Sequence, residues 1–319
     1  MGGVRKVGII GISHVGAHVA QGLILQGVAD ELYVCDINES RLTSEVQDLS
    51  DTLSFCPHDV KIHNCAADYE AMKDCEVIIN AAGDIVKAAV NRDGELYVTT
   101  AIAETFAQRI GKSGFTGIFI NIANPCEVVS TEIWKLTGLP WNHVIGLGTM
   151  LDSARFQNAL QKATGIDQKS IGAYMLGEHG ARQFAAWSHV TFGGKPLVEL
   201  AEENPQQFGF AQDAVEDQAR QGGYVTYAGK GCTEYAVSAA AVKLTMAVLH
   251  NEHAILACST LPHGAYGLEG HFVSLPCIIG ADGVESIIEL KINEREREGL
   301  MTAWNAISSN LSKMQWWHE

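Results

Sequence analysis

Hydrophobic and polar residues alternate along the first half of the chain in blocks that predict strands separated by helices. The strand-like blocks are short and almost entirely apolar, which is typical of parallel strands that helices cover on both faces. The longer blocks between them carry apolar residues at helical spacing. This pattern predicts an α/β fold built on a doubly wound parallel sheet. The predicted strands are 7–10, 32–35, 60–62, 77–79, 117–120 and 144–146, and the predicted helices after the first, which ends near Gly27, are 40–52, 95–112, 127–137 and 151–164.

After about residue 150 the regular alternation ends, and short β-like runs mix with longer helices. Gly193-Gly194 lies between two such runs and predicts a hairpin turn. We therefore expect two domains, 1–149 and 150–319, of which the second is an α+β domain, with a ligand cleft between them. The β-like runs are 171–175, 189–192, 278–279 and 287–290, and the predicted helices are 210–221, 234–250 and 293–313.

A glycine turn, Gly11-Ile12-Ser13-His14-Val15-Gly16, joins the first strand to the first helix, and the second strand ends at Asp36, 20 residues after Gly16. This unit predicts a Rossmann dinucleotide site, with the pyrophosphate at the helix N-terminus and the acid on the adenosine ribose. Because an acid here disfavours a 2′-phosphate, NAD is favoured over NADP. Ser13 stands in place of the signature's middle glycine and takes up room near the pyrophosphate. The turn alone would also fit a plain βαβ connection that binds nothing.

Further polar candidates follow later strands, at the edge where open α/β sheets bind their ligands. We expect Gly83 and Asn124 to contact the cofactor. The Asn124 amide could also donate to a substrate oxygen, although an Asn-Pro turn is a sufficient structural reason for this residue. In the loop 84–94, Arg92 could polarise a substrate carbonyl as the loop closes. From the loop alone, a solvated arginine is the simpler interpretation.

The most informative chemical pattern surrounds His179 in Gly177-Glu178-His179-Gly180. Asp152, 27 residues earlier, could orient the imidazole and raise its pKa, so that His179 acts as an acid or a base. Arg155 follows Asp152 by three residues on a predicted helix, shares its face, and could grip a carboxylate through two parallel hydrogen bonds. Alone, Asp152 and Arg155 would be a weak surface ion pair. Together with His179 and the cofactor turn, they predict hydride transfer to a small 2-oxo acid.

These residues resemble the L-lactate/malate dehydrogenase family over nearly the whole chain, and most closely its L-2-hydroxyisocaproate dehydrogenase branch. The motifs that carry the resemblance are Ile122-Ala123-Asn124-Pro125, Leu151-Asp152-Ser153-Ala154-Arg155, Leu176-Gly177-Glu178-His179-Gly180 and Lys230-Gly231-Cys232-Thr233. The resemblance implies a catalytic set and a substrate-binding set. The implied roles are His179 as proton donor and acceptor, Asp152 as its partner, Arg92 on a closing loop, and Arg155, Asn124 and Thr233 as substrate contacts.

Val86 indicates which substrate side chain the enzyme prefers. In the resemblance, Val86 falls where lactate enzymes have Gln and malate enzymes have Arg, with Lys87 one residue away. Valine offers no partner for a second carboxylate, and each extra buried methylene of a substrate would be worth about 0.8 kcal/mol. We therefore expect 2-oxo acids with apolar, medium-sized side chains, such as 2-oxoisocaproate, and their L-2-hydroxy acids. The alternatives are a true L-lactate dehydrogenase, a malate dehydrogenase, an NAD-binding protein that has lost catalysis, and an NAD- and metal-dependent glycosidase.

Composition narrows the partners and the location. A net charge of −15 argues against nucleic acid and anionic membranes as partners, and no apolar run is long enough for a membrane helix. Eight scattered cysteines and no secretory signal indicate reduced thiols and a cytoplasmic protein. The i, i+3 spacing of His250 and His253 would permit metal binding on a helix, but no third ligand is evident, so we expect no metal. The small residues of helix 234–250 suit close packing in the core or against a partner subunit. The tail tryptophans, Trp316-Trp317, could form a subunit contact, although packing on the same chain is the simpler interpretation. We expect a homo-oligomer, dimer or tetramer.

Overall fold

The computed structural model describes residues 3–83 and 94–318. Six parallel strands form the sheet of the first half in the order β6-β5-β4-β1-β2-β3, which is the Rossmann arrangement, with β1 and β4 adjacent where the strand order reverses. The prediction of a doubly wound α/β fold is confirmed. The strands are β1 (Lys6–Ile10), β2 (Glu31–Cys35), β3 (Lys61–Asn64), β4 (Val77–Asn80), β5 (Ile118–Asn121) and β6 (Val144–Gly146).

The helices of the first half begin and end close to the predicted positions. Local capping explains several of the ends. Asn38 starts one helix by accepting a hydrogen bond from the Arg41 N–H, and Gly138 and Gly165 end two others in the left-handed conformation that glycine adopts readily. The helices are α1 (His14–Leu25), α2 (Glu39–Thr52), α3 (Gly94–Ser113), α4 (Cys126–Thr137) and α5 (Met150–Thr164).

Three strands of the second half extend the same sheet in antiparallel fashion, which the sequence pattern did not predict. They join it where Ser259 pairs with Gly146 of β6, which gives nine strands among the described residues. The first of them was missed because it ends in small and polar residues (Cys258, Ser259, Thr260), which give little hydrophobic signal although they are buried. The predicted run 287–290 was also misplaced, because the strand ends at its first residue. These strands are β12 (Ala254–Thr260), β13 (Val273–Gly280) and β14 (Gly283–Ile287).

The remaining short strands form two small sheets outside the main one. Phe192 pairs with Lys195 across Gly193-Gly194, which confirms the predicted hairpin. The second small sheet, β8 with β9, brackets the segment that contains His179. These strands are β7 (Ile171–Gly172), β8 (Met175–Leu176), β9 (Phe184–Ala185), β10 (Thr191–Phe192) and β11 (Lys195–Pro196).

Helices of the second half pack on both the main sheet and the first-half helices. One of them is longer than the predicted 210–221, because Gly222-Gly223 does not end it and it continues to Lys230. Trp316 and Trp317 pack against the core of the same chain, as the simpler interpretation expected. The helices are α6 (Leu197–Glu203), α7 (Pro205–Phe208), α8 (Gln212–Lys230), α9 (Tyr235–Leu249), α10 (Glu294–Leu311) and α11 (Gln315–His318).

The two halves share one hydrophobic core, in which α9 lies against α1. A Cβ on Gly22 of α1 would come 2.8 Å from the Cγ2 of Val242 on α9, so the glycine permits the close approach of the two helices. The same core includes Ile145 of β6 and Leu275 of β13. Among the helices that the structure describes, none combines the length and the apolar character needed to cross a bilayer.

Candidate active site

The glycine turn has the shape that a pyrophosphate requires. Gly11 has a φ of +86°, and a Cβ on Gly16 would clash with the Gly11 carbonyl oxygen, so neither position accepts another residue without rearrangement. The turn leads into α1, whose N-terminus has no side-chain cap. Its first N–H groups and the helix dipole therefore face the position where the pyrophosphate is expected.

Ser13 fits this turn without strain. Its φ is −78°, which any residue adopts, so the missing glycine is not needed for the backbone conformation. The Ser13 Oγ accepts a hydrogen bond from Arg41 Nη1 at 2.7 Å. Ser13 therefore places a guanidinium beside the expected phosphate position. Sequence reasoning missed Arg41, because it lies on α2, 28 residues away, and no local pattern connects it to the turn.

Asp36 lies at the end of β2, as predicted, with its carboxylate against the glycine turn. One oxygen accepts from the Ile12 N–H at 2.9 Å and the other from the Asn38 N–H at 2.8 Å. An ionised carboxylate has about four acceptor positions, so two remain for the ribose hydroxyls. The N–H donors of the turn therefore fit a pyrophosphate, and the acceptor oxygens of Asp36 fit a ribose without a 2′-phosphate.

A pair of buried asparagines organises the neighbouring strand ends. Asn80 Nδ2 donates to Asn121 Oδ1 at 2.9 Å, and Asn121 Nδ2 donates in turn to the Ala123 carbonyl at 3.1 Å. This network fixes the segment that leads to Asn124, which is half-buried at the predicted edge. Gly83 follows β4 at the same edge and is exposed. Arg92 and Val86 lie outside the described residues.

His179, Asp152 and Arg155 meet in one hydrogen-bonded unit. His179 Nδ1 lies 2.5 Å from Asp152 Oδ2, and Arg155 Nη1 lies 2.8 Å from Asp152 Oδ1. Asp152 is buried, whereas the side chains of His179 and Arg155 keep 23% and 18% of their surface exposed. Asp152 therefore holds both partners from behind. Within residues 3–83 and 94–318, nothing forms a hydrogen bond with the imidazole Nε2 or with the other guanidinium nitrogens, so these atoms can face a ligand.

The backbone around the unit is held by hydrogen bonds between elements. Thr149, at the start of α5, donates from its Oγ1 to the Met175 carbonyl of β8 at 2.6 Å, and the Met175 N–H donates to Ser153 Oγ at 3.0 Å. Gly177, which has a φ of +96°, pairs with Ser274 of β13 through two backbone hydrogen bonds of 3.0 and 2.8 Å. The helix that carries Asp152 and the segment that carries His179 are thus fixed to each other.

Burial and charge act on His179 in opposite directions. Burial alone would lower its pKa, but the Asp152 carboxylate, by its charge and its hydrogen bond, raises the pKa of His179 to about 9. Burial likewise acts to raise the pKa of Asp152, but His179 and Arg155 outweigh it and keep this pKa below its usual value. At neutral pH the pair is therefore an imidazolium beside a carboxylate, with the Nε2 proton available for transfer.

Glu127 is a second buried acid beside His179 that sequence reasoning missed. Its Oε1 accepts from the His179 N–H at 3.1 Å and from Ser274 Oγ at 2.9 Å. Burial raises the pKa of Glu127 to about 7, although the nearby His179 opposes this rise. The charge of Glu127 in turn contributes to the high pKa of His179. A glutamate in the first turn of a helix carries no signal that could have revealed this contact.

Two glycines of α8 lie against Arg155, and these were also missed. A Cβ on Gly222 would come 3.1 Å from Arg155 Cδ, and a Cβ on Gly223 would come 3.4 Å from the two terminal nitrogens. Glycine inside a helix costs about 1 kcal/mol relative to alanine. The absence of side chains at these two positions lets α8 approach Arg155 closely.

Thr233, His250 and His253 were also candidates from the sequence. Thr233 is half-buried in the loop between α8 and α9. His250 and His253 do not share a helix, because α9 ends at Leu249. The two rings face different groups, Arg5 Nη1 for His250 and Glu285 Oε2 for His253, so these two histidines do not form a common metal site.

Comparison with known proteins identifies the family of the chain. Residues 5–146 match the NAD binding domain of lactate/malate dehydrogenase, and residues 149–315 match the alpha/beta C-terminal domain of the same family. The chain belongs to the lactate/malate dehydrogenase family. It is therefore an oxidoreductase with NAD as its cofactor, and the expectation of this family from sequence motifs is confirmed.

Similar members of the lactate/malate dehydrogenase family match over almost their full length. An L-lactate dehydrogenase of Fusobacterium nucleatum is 39% identical over 94% of this chain and 93% of its own. The minor L-lactate dehydrogenase of Enterococcus mundtii, solved with bound ligands, has a TM-score of 0.91 and 31% identity, covering 98% and 99% of the two chains. The lactate dehydrogenase of Cryptosporidium parvum, solved with lactic acid and NAD, has a TM-score of 0.88 and 26% identity, covering 97% and 98%.

Proposed function

We propose that this protein is an NAD-dependent L-2-hydroxyacid dehydrogenase that interconverts 2-oxo acids and L-2-hydroxy acids. The observation that carries the proposal is the unit of Asp152, His179 and Arg155, in which one buried carboxylate orients an imidazole and a guanidinium. A 2-oxo acid presents a carbonyl oxygen and a carboxylate on neighbouring carbons. The unit offers one proton donor and one carboxylate anchor for these two groups.

In the proposed reduction, Arg155 binds the substrate carboxylate through the guanidinium nitrogens that do not face Asp152. His179 donates the Nε2 proton to the carbonyl oxygen, and Asp152 stabilises the imidazolium before the transfer. Bound NADH supplies the hydride that C2 receives. The products are the 2-hydroxy acid, NAD and neutral His179, which takes up a proton from solvent to close the cycle. In oxidation, His179 accepts the hydroxyl proton.

We also propose that the preferred substrates have apolar side chains larger than the methyl group of pyruvate. Two features support this. Val86, in the loop outside the described residues, offers no charged partner. Gly222 and Gly223 place no side chain beside Arg155, and a Cβ on Gly222 would come within 3.1 Å of Arg155 Cδ. A larger aliphatic group buried there gains about 0.8 kcal/mol per methylene.

An L-lactate dehydrogenase is the second candidate, because relatives with that name include one that is 39% identical. A panel of 2-oxo acids, assayed by steady-state NADH oxidation, distinguishes the two candidates. We expect kcat/KM to be higher for 2-oxoisocaproate or phenylpyruvate than for pyruvate, and lowest for oxaloacetate. A preference for pyruvate would establish the lactate alternative, and a preference for oxaloacetate would contradict the apolar pocket.

The variant Gly222→Ala tests whether the α8 glycines set the substrate range. Its Cβ comes 3.1 Å from Arg155 Cδ, so the Arg155 side chain must shift to make room. We expect kcat/KM for 2-oxoisocaproate to fall by about tenfold, the value of one to two buried methylenes, and kcat/KM for pyruvate to fall less. Gly229→Ala is the matched control, since a Cβ at this α8 glycine meets no neighbouring atom. Equal losses for both substrates in Gly222→Ala would remove the role in specificity.

We also propose that the chain forms a homo-oligomer, either a dimer or a tetramer. Light scattering of the purified chain measures it directly. NADH binding to the same sample separates an active enzyme from a protein that has lost its cofactor. Binding without turnover on the whole panel would favour the catalytically impaired alternative.

A further inference from the structure

Three side chains that bind transition metals converge between the glycine turn and the loop from α8 to α9. They are His14, at the first position of α1, and Cys232 and Glu234 in the loop. His14 Nδ1 lies 3.5 Å from Glu234 Oε2, and Cys232 Sγ lies 3.6 Å from the same oxygen. The three potential ligand atoms all lie within 4.8 Å of one another. Neither His14 nor Cys232 is part of the unit around His179.

Glu234 is oriented toward this cluster and not toward its own helix. It occupies the N-cap position of α9, yet its side chain makes no capping hydrogen bond. Only 10% of the side chain is exposed. One oxygen, Oε1, pairs with Lys230 Nζ at 2.5 Å, and the other, Oε2, faces His14 and Cys232. The carboxylate thus has one oxygen that an ion between the three residues could bind.

We propose that His14, Cys232 and Glu234 bind one Zn²⁺ ion. An imidazole nitrogen, a thiolate sulfur and a carboxylate oxygen are the ligands that Zn²⁺ takes, whereas Mg²⁺ and Ca²⁺ prefer oxygen alone. Tetrahedral coordination at ordinary Zn²⁺ bond lengths separates two ligand atoms by roughly 3.3 to 3.8 Å. Two separations in the cluster already have this size. Rotation of the exposed His14 side chain adjusts the third.

The local charge permits a divalent cation. Glu234 and the Cys232 thiolate contribute two negative charges to the site, and Lys230 contributes one positive charge from the far side of the carboxylate. Lys230 also lies over the Tyr235 ring, 3.7 Å from its centre. The Cys232 proton leaves on binding, as it does in thiolate zinc sites generally.

A metal ion at this position would act on the dinucleotide site. His14 belongs to the glycine turn, and the two loop ligands flank Thr233. The ion ties the cofactor turn to the loop between α8 and α9 and leaves one coordination position for water or an anion. We therefore expect Zn²⁺ to inhibit turnover reversibly by restricting entry of the dinucleotide.

The metal-binding test uses the full-length protein without an affinity tag, reduced with a phosphine so that no thiol reagent competes for the ion. Co²⁺ serves as the spectroscopic probe, because a thiolate ligand gives a ligand-to-metal charge-transfer band in the near ultraviolet. We expect one ion per chain with this band. Calorimetry with Zn²⁺ is expected to show the same stoichiometry. Cys232→Ser should abolish the band, and His14→Ala should weaken binding by at least about tenfold, the lower bound for loss of even an outer partner.

Cys56→Ser is the matched control, since Cys56 is another half-buried thiol distant in sequence from the cluster, and it should bind the ion like the parent. A parent protein without stoichiometric binding, or a Cys232→Ser variant that binds equally well, would overturn the proposed site. A thiol titration shows whether a change reflects cysteine oxidation only, which would also overturn it. Inhibition that chelator does not reverse, or that persists in Cys232→Ser, would refute the effect on turnover. The binding measurements stand whichever 2-oxo acid the enzyme prefers.

Discussion

At the scale of single residues, the environment of His179 converts an ordinary imidazole into a proton donor suited to alkaline conditions. Two carboxylates contribute, Asp152 through its charge and a direct hydrogen bond to the ring, and Glu127 through its charge. Their combined effect exceeds the penalty of burial, so the pKa of His179 lies at about 9. A reduction that consumes this proton should therefore persist well above neutral pH.

The variant Asp152→Asn tests this electrostatic account. In the parent, we expect kcat/KM for reduction to fall as the pH rises through about 9, where His179 loses its proton. Asparagine keeps the size of the side chain but removes the charge, so the descending limb should shift to lower pH. The rate should drop roughly 10²- to 10⁴-fold, the range for a general acid. Asp213→Asn, at an exposed ion pair with Arg295, should change neither quantity. A limb unmoved in Asp152→Asn would mean that another group titrates.

Arg41 provides a second prediction, on cofactor affinity. If its guanidinium faces the pyrophosphate through Ser13, then Arg41→Met should weaken NADH binding by roughly fivefold, about 1 kcal/mol, at low ionic strength. The difference should shrink in high salt, because an exposed charge is screened. Fluorescence titration with NADH measures both. Lys195→Met, which removes an exposed cation paired with Glu203, serves as the control. Equal NADH affinity in Arg41→Met and the control at low salt would refute the contact.

The residues predicted from sequence and those missed differ in a physical way. Asp152 and Arg155 share a helix face at three-residue spacing, and His179 lies between glycines, so local patterns marked them. Glu127 and Arg41 contact the site from helices elsewhere in the sequence, and only the tertiary structure brings them there. Contacts of this kind leave no periodicity for a single sequence to display.

At the scale of elements, α4 carries an unusual buried acid. Glu132 is fully buried, and neither of its oxygens has a hydrogen-bond partner among the described residues. Burial, with a smaller effect from Glu104 of α3, raises the pKa of Glu132 to about 9. The folded protein therefore holds a proton there at neutral pH, which the unfolded chain releases. Stability contributed by this group is lost as the pH rises from about 4.5 to about 9.

Glu132→Gln should remove that loss. Glutamine has nearly the same shape and does not titrate. The free energy of unfolding of the variant should therefore match the parent near pH 4.5 and exceed it increasingly toward pH 9, by up to about 1.4 kcal/mol per pH unit. Denaturant unfolding at several pH values measures the difference. Glu104→Gln, at an exposed position on α3, should change stability far less. A constant difference across the pH range would show that Glu132 is ionised in the folded state.

The elements that sequence predicted poorly were those with weak local signals. The helices α9 and α10 appear close to their predicted bounds, because their apolar spacing is regular. Strand β12 was missed because its buried end is made of Cys258, Ser259 and Thr260, whose burial depends on neighbours from distant parts of the chain. The length of α8 was underestimated because two glycines usually indicate an end, whereas here tertiary packing against α5 keeps the helix continuous.

At the scale of the whole molecule, the nine-stranded sheet joins both halves of the chain. Strand β12 pairs with β6 through Ser259 and Gly146, and the hydrophobic core passes from β6 into β13 and α9. The expected division into residues 1–149 and 150–319 therefore separates segments of the sequence that share one sheet and one core. The site depends on this sharing, since Ser274 of β13 positions both Glu127 and the His179 segment.

This shared core leads to a prediction about unfolding. Because separation of the halves would expose the outer edge of β6 and the apolar faces of α1 and α9, we expect one cooperative transition for the whole chain, seen at the same temperature by far-ultraviolet and near-ultraviolet circular dichroism. NADH should raise that temperature for both signals alike, because it binds only the folded state. Calorimetry provides the matching check, through agreement between the measured and van't Hoff enthalpies. Two resolved transitions, with NADH shifting only one, would show instead that the cofactor half folds independently of β12, β13 and β14.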